Sequence, residues 1–510
     1  MAKTFRQFGF PVLGGLLVGL AYPSVFNFGP LLFAGLVIIL WSVHTRSFWQ
    51  GYVAGLAYFA ITFRSFWLTY PLSSLGIKSV WLALVLIGLP YIISVLVMAV
   101  AWGIWSSYRR RGILVTAALF VLLEYLRSIA FGLLWYGSGT LLGPHWTMAN
   151  PVYALSSGSL ARALVPYLGS YGLLFLSVLA SAWLASNLRT KSHRYSVAAI
   201  LILASLLYLP SPLARPGKKL SYAIVQTVET DYSPANRLAH FKQQLAALNQ
   251  ISHAQPDTNL VIFPESSGFF TELATFLNSQ QAKNYFKNLF SHPALLISGA
   301  QVVEKNQLLS RLFFLDSQQD IVGYYDKRLL FPFSEFLPQS LRFTLALVVP
   351  QFLSGLNPAH GSSIGARPAI AQSFHEQFRF VAIICSELLS PNLVRQASHD
   401  TDIILATAST AVFHGNPHIV AENLAIARLR AAENGKPLLL AANQGLSYVL
   451  DSHGNIEQIA PNQAAQILTG QVGISQTRTW YNKLGDWPIL LLSFFILAGT
   501  VKQRKNVITT

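Results

Sequence analysis

Cys385 is the only cysteine in this chain of 510 residues, and it stands where a nucleophile could act. The mostly apolar run at 378–384 leads straight into it, a pattern that predicts a buried strand ending at the thiol. Glu387 follows two residues later. A free cysteine is often a small core side chain with no reactivity. This stretch alone therefore leaves both a core residue and a nucleophile open.

Two earlier predicted strands also end in groups that could take part in chemistry. The apolar run at 260–264 ends in Glu265, and the run at 321–326 is followed by Lys327 and then by Glu335. A carboxylate can take the proton of a thiol, and a fixed ammonium can stabilise a thiolate and then an oxyanion. The set predicts acyl transfer through a thioester, with Glu265 as base, Lys327 as stabilising cation and Cys385 as nucleophile.

The elements that must position these groups alternate between strands and helices. Strands are predicted at 220–226, 295–300, 308–316 and 401–408, with helices at 237–254, near 271–290 and at 417–434. Strand 437–442 and a hairpin at 446–459 complete the block. Such alternation predicts an α/β domain over residues 213–480.

The composition indicates a membrane protein. Hydrophobic residues make up 53% of the chain and charged residues only 11%, whereas soluble domains contain about 25% charged residues. Apolar segments of roughly the 20 residues that a bilayer requires predict seven transmembrane helices in residues 1–212 and an eighth in 481–510. The predicted spans lie near 8–25, 28–43, 51–70, 79–106, 112–132, 164–186, 194–210 and 485–501.

The distribution of charge predicts the orientation. The net charge of +16 comes from 36 basic and 20 acidic residues, but the segment from Arg215 to Trp480 holds 19 and 18, so the excess lies in the predicted membrane segments. This argues against nucleic-acid binding, which would need a basic patch on a soluble surface. With both termini cytoplasmic, twelve basic residues lie on the cytoplasmic side and only Lys78 and Arg162 in the opposite short loops. The positive-inside rule therefore predicts an extracytoplasmic α/β domain.

Polar residues within the predicted spans are costly in a bilayer and suggest a function or a structural pair. Arg64 lies in the third span, and Glu124 and Arg127 share one face of the fifth, where they could pair. We interpret 133–162 as an interfacial loop rich in aromatic residues, with His145 as a polar residue and not a metal ligand. We also predict a mobile flap at 354–366.

The order Phe263-Pro264-Glu265, Lys327 with Pro332-Phe333-Ser334-Glu335, and Cys385-Ser386-Glu387 resembles the nitrilase superfamily. Together with the predicted spans and the segment 427–437, it resembles the bacterial apolipoprotein N-acyltransferases over nearly the whole chain. The resemblance implies an αββα sandwich facing the periplasm, on a helical domain of the inner membrane. It also implies support of the triad by Glu335 and Glu387.

The same resemblance implies the substrates. The acyl donor would be a phospholipid and the acceptor the amine of diacylglyceryl-cysteine on an apolipoprotein, with no cofactor. Some positions depart from the usual pattern of the family. Ser386 replaces an aromatic residue and Leu329 replaces a histidine, and the segments 226–228 and 409–414 also differ.

Alternative functions therefore stay open from the sequence alone. One is a membrane amidase or acyltransferase of the nitrilase type acting on a different amine. Another is a catalytically silent paralogue that binds lipid or a partner, although retention of Glu265, Lys327 and Cys385 weighs against it. A transporter is disfavoured because the spans lack obvious inverted repeats.

Overall fold

The computed structural model describes residues 2–508 apart from 43–46, 73–76, 78, 109–111, 190–216, 230–233, 266, 277–278, 288, 319–320 and 349–361. The first part of the chain, from α1 at Ala2–Ala21 to the helix Ser159–Arg189, consists of helices and is called the helical part. The second part contains two β-sheets with flanking helices and is called the α/β domain. Two further helices follow the sheets. The predicted span at 194–210 lies outside the described residues, as do most of the predicted flap and several basic loop residues.

Within the residues that the structure describes, the first part contains six α-helices: α1 (Ala2–Ala21), α2 (Pro30–Ser42), α3 (Phe48–Thr62), α4 (Val80–Tyr108), α5 (Ile113–Leu134) and α6 (Ser159–Arg189). Their long apolar runs contain few polar side chains, and a helix satisfies the backbone N–H and C=O groups within each segment. Glycines let them approach closely, because a Cβ on Gly15 would lie 2.1 Å from the Ala54 carbonyl oxygen and one on Gly51 equally close to that of Trp102. Small residues serve this purpose in membrane helix packing.

Three helices of the described chain are long and apolar enough to cross a membrane: Val80–Tyr108, Ile113–Leu134 and Ser159–Leu188. Shorter apolar helices lie at Gln7–Ala21, Pro30–Ser42 and Trp487–Thr500. The predicted third span consists of α3 and a 3₁₀ continuation, Phe63–Thr69. These observations agree with a membrane protein and leave the number of spans as a prediction.

The second part is an α/β domain with two six-stranded sheets. The first sheet has the order β12-β1-β2-β3-β4-β5 and the second has the order β11-β10-β9-β8-β7-β6. Apolar residues of both, such as Ile262 and Ile384, form a core between the sheets. The strands are β1 (Lys219–Gln226), β2 (Leu260–Ile262), β3 (Leu295–Glu304), β4 (Gln307–Asp316), β5 (Ile321–Asp326), β6 (Gln372–Phe374), β7 (Phe378–Ile384), β8 (Ile403–Ser409), β9 (Leu438–Asn443), β10 (Tyr448–Leu450), β11 (Ile456–Ile459) and β12 (Gln466–Gly473).

Helices cover both outer faces, which gives the expected four layers. The first sheet packs against α7 (Pro234–Ala254), α8 (Phe269–Phe276) and α9 (Ser279–Lys287). The second packs against α11 (Pro391–Ala397) and α12 (Pro417–Asn434). The helical stretch predicted near 271–290 is confirmed over Phe269–Phe276 and Ser279–Lys287, and these two helices bury Phe270 and Phe286. The remaining helices are α10 (Gln339–Val348), α13 (Trp480–Leu484) and α14 (Trp487–Ile508).

The α/β domain packs directly on the helices of the first part. One hydrophobic cluster contains residues of both parts: Leu36 and Val178 belong to the helices, and Ile404 and Leu440 belong to the α/β domain. Polar contacts cross the same boundary: the Tyr22 hydroxyl donates to a Glu422 carboxylate oxygen at 2.7 Å. A continuous hydrophobic core and buried polar contacts thus join the two parts.

The polar residues predicted in the spans have specific partners. Arg127 donates from Nε and Nη2 to one oxygen of Glu124, at 2.8 and 2.6 Å, which confirms the predicted pair. Arg64 lies in the 3₁₀ segment and donates to the carbonyl oxygen of Ser24. His145 Nε2 lies 2.8 Å from the Tyr171 hydroxyl.

The interpretation of 133–162 as an interfacial aromatic loop is wrong for its tryptophans. Trp135 and Trp146 are only 2% and 3% exposed. They pack edge-to-face on Phe333 and Phe331 of the α/β domain, with ring centroids 5.0 and 5.8 Å apart. The loop therefore forms a contact between the two parts of the protein and does not present these rings to lipid.

Candidate active site

Cys385 begins a tight turn at the end of a buried strand. Strand β7 ends at Ile384, and Cys385 opens the 3₁₀ turn Cys385–Leu389 with φ +46°. A residue with a Cβ pays roughly 1–2 kcal/mol for this left-handed conformation, so the surrounding contacts must enforce it. The side chain is half-buried. The strand thus presents the thiol at a sharp bend, at the carboxyl edge of its sheet.

Glu265 comes from the carboxyl end of β2, in the other sheet. Oε1 accepts a hydrogen bond from Lys327 Nζ at 3.1 Å, and Oε2 accepts one from the backbone N–H of Ser409 at 3.0 Å. Glu265 is 7% exposed. Both of its oxygens are therefore fixed by donors, one from each sheet.

Lys327 follows β5 and lies between two carboxylates. Its ammonium is 3.1 Å from Glu265 Oε1 and 2.9 Å from Glu335 Oε2, and the residue is 2% exposed. Glu335 Oε2 also accepts the backbone N–H of Phe331 at 2.7 Å. Glu335 therefore holds the ammonium and closes the loop that carries Lys327.

The electrostatics of the site favour a neutral thiol and a charged lysine at rest. The pKa of Cys385 is raised to about 12, chiefly by burial and further by Glu265 and Glu335, with Lys327 opposing them. Burial would lower the pKa of Lys327, but the two carboxylates outweigh it and raise that pKa well above its ordinary value. The thiol therefore needs a base at the moment of attack.

Glu265 has the properties of that base. Burial raises the pKa of Glu265, with Glu335 acting in the same direction, whereas Lys327 and the Ser409 N–H oppose the shift. A carboxylate with a raised pKa takes and returns a proton more readily at neutral pH than an ordinary one. The site combines an acid–base group, a fixed cation and a thiol.

Glu387 ties the cysteine turn to the lysine loop and is fully buried. Oε1 accepts from the Tyr325 hydroxyl at 2.6 Å and the Arg328 N–H at 2.9 Å, and Oε2 accepts from the Ile384 N–H at 2.8 Å. These hydrogen-bond donors are two backbone amides and a hydroxyl. All of them donate, so the ionised carboxylate is the form that satisfies them.

The structure thus brings all five predicted residues to one edge of the two sheets. Among the residues that the structure describes, no cluster of three or more His, Cys, Asp or Glu could hold a metal ion. Sequence reasoning missed Ser409 and Tyr325. Ser409 ends β8, and its position at a strand end was a usable signal, but its contribution is a backbone N–H that any residue except proline could supply.

Two sequence-family models match the chain. A carbon-nitrogen hydrolase model matches residues 223–482, just over half of the chain, and a model of the apolipoprotein N-acyltransferase N-terminal domain matches residues 14–183. Together they include both the helical part and the α/β domain.

Among curated proteins, the apolipoprotein N-acyltransferase of Haemophilus ducreyi is 27% identical over 82% of this chain and 83% of its own length. That of Geobacter metallireducens is 25% identical over 98% and 96%.

Solved structures that resemble the chain include an amidase from Nesterenkonia, which is 16% identical over 52% of this chain and 94% of its own, with a TM-score of 0.36. A carbon-nitrogen hydrolase from Helicobacter pylori is 14% identical over 50% and 89%, with a TM-score of 0.38. The sequence-family matches and the curated relatives identify the family without them. The chain belongs to the carbon-nitrogen hydrolases and, among them, to the apolipoprotein N-acyltransferases.

Proposed function

We propose that this protein transfers an acyl chain from a membrane phospholipid to the N-terminal amine of diacylglyceryl-cysteine on apolipoproteins. The observation that carries the proposal is the convergence of Glu265, Lys327 and Cys385 at one edge of a domain that packs on apolar helices. Family membership supports the same reaction over the helical part as well. That second match is why an amidase acting on a different amine is not favoured.

In the first half-reaction, Cys385 Sγ attacks the ester carbonyl carbon of the donor while Glu265 takes the thiol proton. Lys327 stabilises the oxyanion of the tetrahedral intermediate. Cleavage of the carbon–oxygen bond releases the glycerol oxygen, which takes the proton from Glu265. The products are a thioester on Cys385 and a lysophospholipid.

In the second half-reaction, the acceptor amine attacks the thioester carbonyl carbon. Glu265 takes a proton from the attacking nitrogen, and Lys327 again stabilises the oxyanion. The carbon–sulfur bond breaks, and the Cys385 sulfur receives the proton from Glu265. The acceptor leaves as an amide and the enzyme returns to its starting state.

A narrow cleft between the two parts of the protein marks where a phospholipid donor would approach the lysine loop. Trp135, Leu141 and Trp146 line it from the helical part, and Leu330, Phe336 and Arg328 line it from the lysine loop. The buried Arg328 Nε has no hydrogen-bond partner, and no described carboxylate forms an ion pair with this guanidinium. Apolar walls suit acyl chains, and a cation beside Lys327 suits a phosphate.

We further propose the arrangement in the membrane. Residues 1–212 would form seven transmembrane helices, 213–480 the catalytic domain in the periplasm, and 481–510 the last helix and a cytoplasmic tail. This orientation is supported by the surplus of basic residues in the loops that would lie on the same side of the membrane as the two termini. Both substrates are bilayer components, so a catalytic domain resting on the membrane meets them directly.

The test is the intact mass of the purified protein after incubation with phospholipid in detergent, beside Cys385→Ala. We expect an acyl adduct on the wild type alone, removed by hydroxylamine. A synthetic peptide with an N-terminal diacylglyceryl-cysteine should then discharge it and gain one acyl chain. A folded wild type that forms no adduct with several phospholipids would overturn the proposal.

A further inference from the structure

A short segment between α5 and α6 reaches the turn that carries Cys385. Thr147 is fully buried, and its backbone N–H and its hydroxyl both donate to the carbonyl oxygen of Leu389, at 3.1 and 2.5 Å. The same hydroxyl also contacts the Tyr153 hydroxyl. Because the single hydrogen of the Thr147 hydroxyl is donated to Leu389, Tyr153 is the donor in that contact. One carbonyl thus receives two donors from a residue of the helical part.

Leu389 is the last residue of the turn that begins at Cys385. A strained backbone conformation such as that of Cys385 persists only where surrounding contacts over-determine it. Glu387 Oε2 holds the first end through the Ile384 N–H. Thr147 holds the other, so a group outside the α/β domain takes part in fixing the orientation of the thiol.

The neighbouring residue, Trp146, contacts the loop that carries Lys327. Its ring meets Phe331 edge-to-face, with centroids 5.8 Å apart. The N–H of Phe331 donates to Glu335 Oε2, which also accepts the Lys327 ammonium. Two consecutive residues of one segment therefore touch the two loops whose spacing sets the geometry of the site.

Hydrogen bonds from the helices of the helical part hold this segment in place. The backbone N–H of Trp146 donates to the backbone carbonyl oxygen of Ser128 at 3.2 Å. Arg127 Nη2 donates to that of Met148 at 3.0 Å while the same nitrogen pairs with Glu124. The Tyr58 hydroxyl donates to the carbonyl oxygen of Ala149 at 2.8 Å. The buried ion pair of α5 thereby acquires a role, because it holds the segment that contacts the cysteine turn.

We propose that the segment 145–149 sets the position of Cys385 relative to Lys327, and that Thr147 is a positioning residue for the nucleophile. The helical part then takes part in assembling the catalytic geometry as well as meeting lipid. The kinetic arm of the test below rests on the proposed function, whereas the alkylation arm does not.

The experiment uses the full-length protein in detergent and compares Thr147→Val, Thr147→Ser and the matched control Thr62→Val. Thr62 is a buried threonine of α3 whose hydroxyl bonds only within its own helix. The rate of alkylation of Cys385 by iodoacetamide at neutral pH reports on the thiol directly, because the chain has one cysteine. The kcat and KM for phospholipid are measured in parallel, and elution as a single species shows that each variant is folded.

We expect Thr147→Val to lower kcat and the alkylation rate about 10- to 100-fold, since displacements of about 1 Å have effects of this size. KM should stay unchanged, and Thr147→Ser should restore most of both rates. Trp146→Phe provides a second variant, with a smaller loss in kcat alone. Equal effects of Thr147→Val and Thr62→Val, or a change confined to KM, would overturn the inference. Absence of any thioester on the wild type would instead count against the proposed function and leave the alkylation comparison valid.

Discussion

The Ser386 hydroxyl donates to the backbone carbonyl oxygen of Leu329 at 2.5 Å, and both residues are almost fully buried. These are two of the positions at which the sequence departs from the pattern expected for its family. The structure joins them in one contact between the cysteine turn and the lysine loop. The contact uses the Ser386 side chain and the backbone of residue 329.

Ser386→Ala should destabilise this contact. The Leu329 carbonyl would lose its donor, and an unsatisfied buried acceptor costs about 1–3 kcal/mol. We expect a lower thermal midpoint and slower thioester formation, measured by calorimetry and intact mass. Ser252→Ala is the control, because Ser252 bonds within α7 away from the site. An unchanged midpoint and rate in Ser386→Ala would show that the contact contributes nothing.

Glu387→Gln should nearly abolish activity although Glu387 does not contact Lys327 within hydrogen-bond distance. A glutamine amide would place a donor against the Ile384 N–H or the Arg328 N–H. Hydrogen bonds to charged groups are worth about 1.5–3 kcal/mol each, so the cysteine turn should loosen from the lysine loop.

Tyr325→Phe is a milder change, because it removes only the hydroxyl that donates to Glu387 Oε1. We expect thioester formation to slow about tenfold. Glu457→Gln, on the exposed strand β11, is the control for both variants. If Glu387→Gln formed the thioester as fast as Glu457→Gln, Glu387 would have no positioning role.

Much of the site was predictable because strand ends are visible in a sequence. Glu265 and Cys385 each follow an apolar run, and the carboxyl ends of such strands meet at one edge of the domain. Lys327 follows β5 in the same way. Residue type and position along a strand predicted where these three lie, whereas their proposed catalytic roles also rest on the family resemblance.

The remaining contacts depend on tertiary packing. Ser409 acts through a backbone N–H, and the partners of Glu387 are mostly backbone groups, which residue type does not reveal. An aromatic residue near a predicted span has the same pattern whether it faces lipid or protein, which is why Trp146 was misplaced. The Thr147–Leu389 contact joins residues 242 apart in the chain, with no local signal.

Glu335→Gln should move the pH dependence of the site toward lower pH. Glu335 raises the pKa of both Glu265 and Cys385, so removing its charge lowers both. Glu265 must be ionised to take the thiol proton, so the acid limb of thioester formation should extend to lower pH. The midpoint of the alkylation profile of Cys385 should fall in the same direction.

Both profiles are measured beside Glu376→Gln, an exposed carboxylate of the α/β domain. The absolute rate of Glu335→Gln should also fall, because Lys327 loses a carboxylate partner at 2.9 Å. Midpoints that stayed in place or moved upward would contradict the assigned electrostatics.

Arg328→Gln should weaken binding of donors that carry a phosphate. We expect KM for a phospholipid to rise about tenfold or more, as loss of a charge-assisted contact of 1.4 kcal/mol or more would give. The KM for a phosphate-free fatty acyl ester should not change. Arg342→Gln, at an exposed position of α10, is the control. An equal rise in KM for both donors would indicate a general disturbance of the lysine loop and not a phosphate contact.

The proposed orientation can be tested because Cys385→Ser leaves a chain without cysteine. Single cysteines are then placed at Lys305, in an exposed turn of the α/β domain, and at Tyr108, at the end of α4. In cells with a permeabilised outer membrane, an impermeant maleimide should label the cysteine at 305 and not the one at 108. The basic residues next to Tyr108 favour the cytoplasmic side, since translocating them is costly. Labelling at 108 and protection at 305 would show the opposite orientation. The catalytic domain could then not meet acceptors on the periplasmic face.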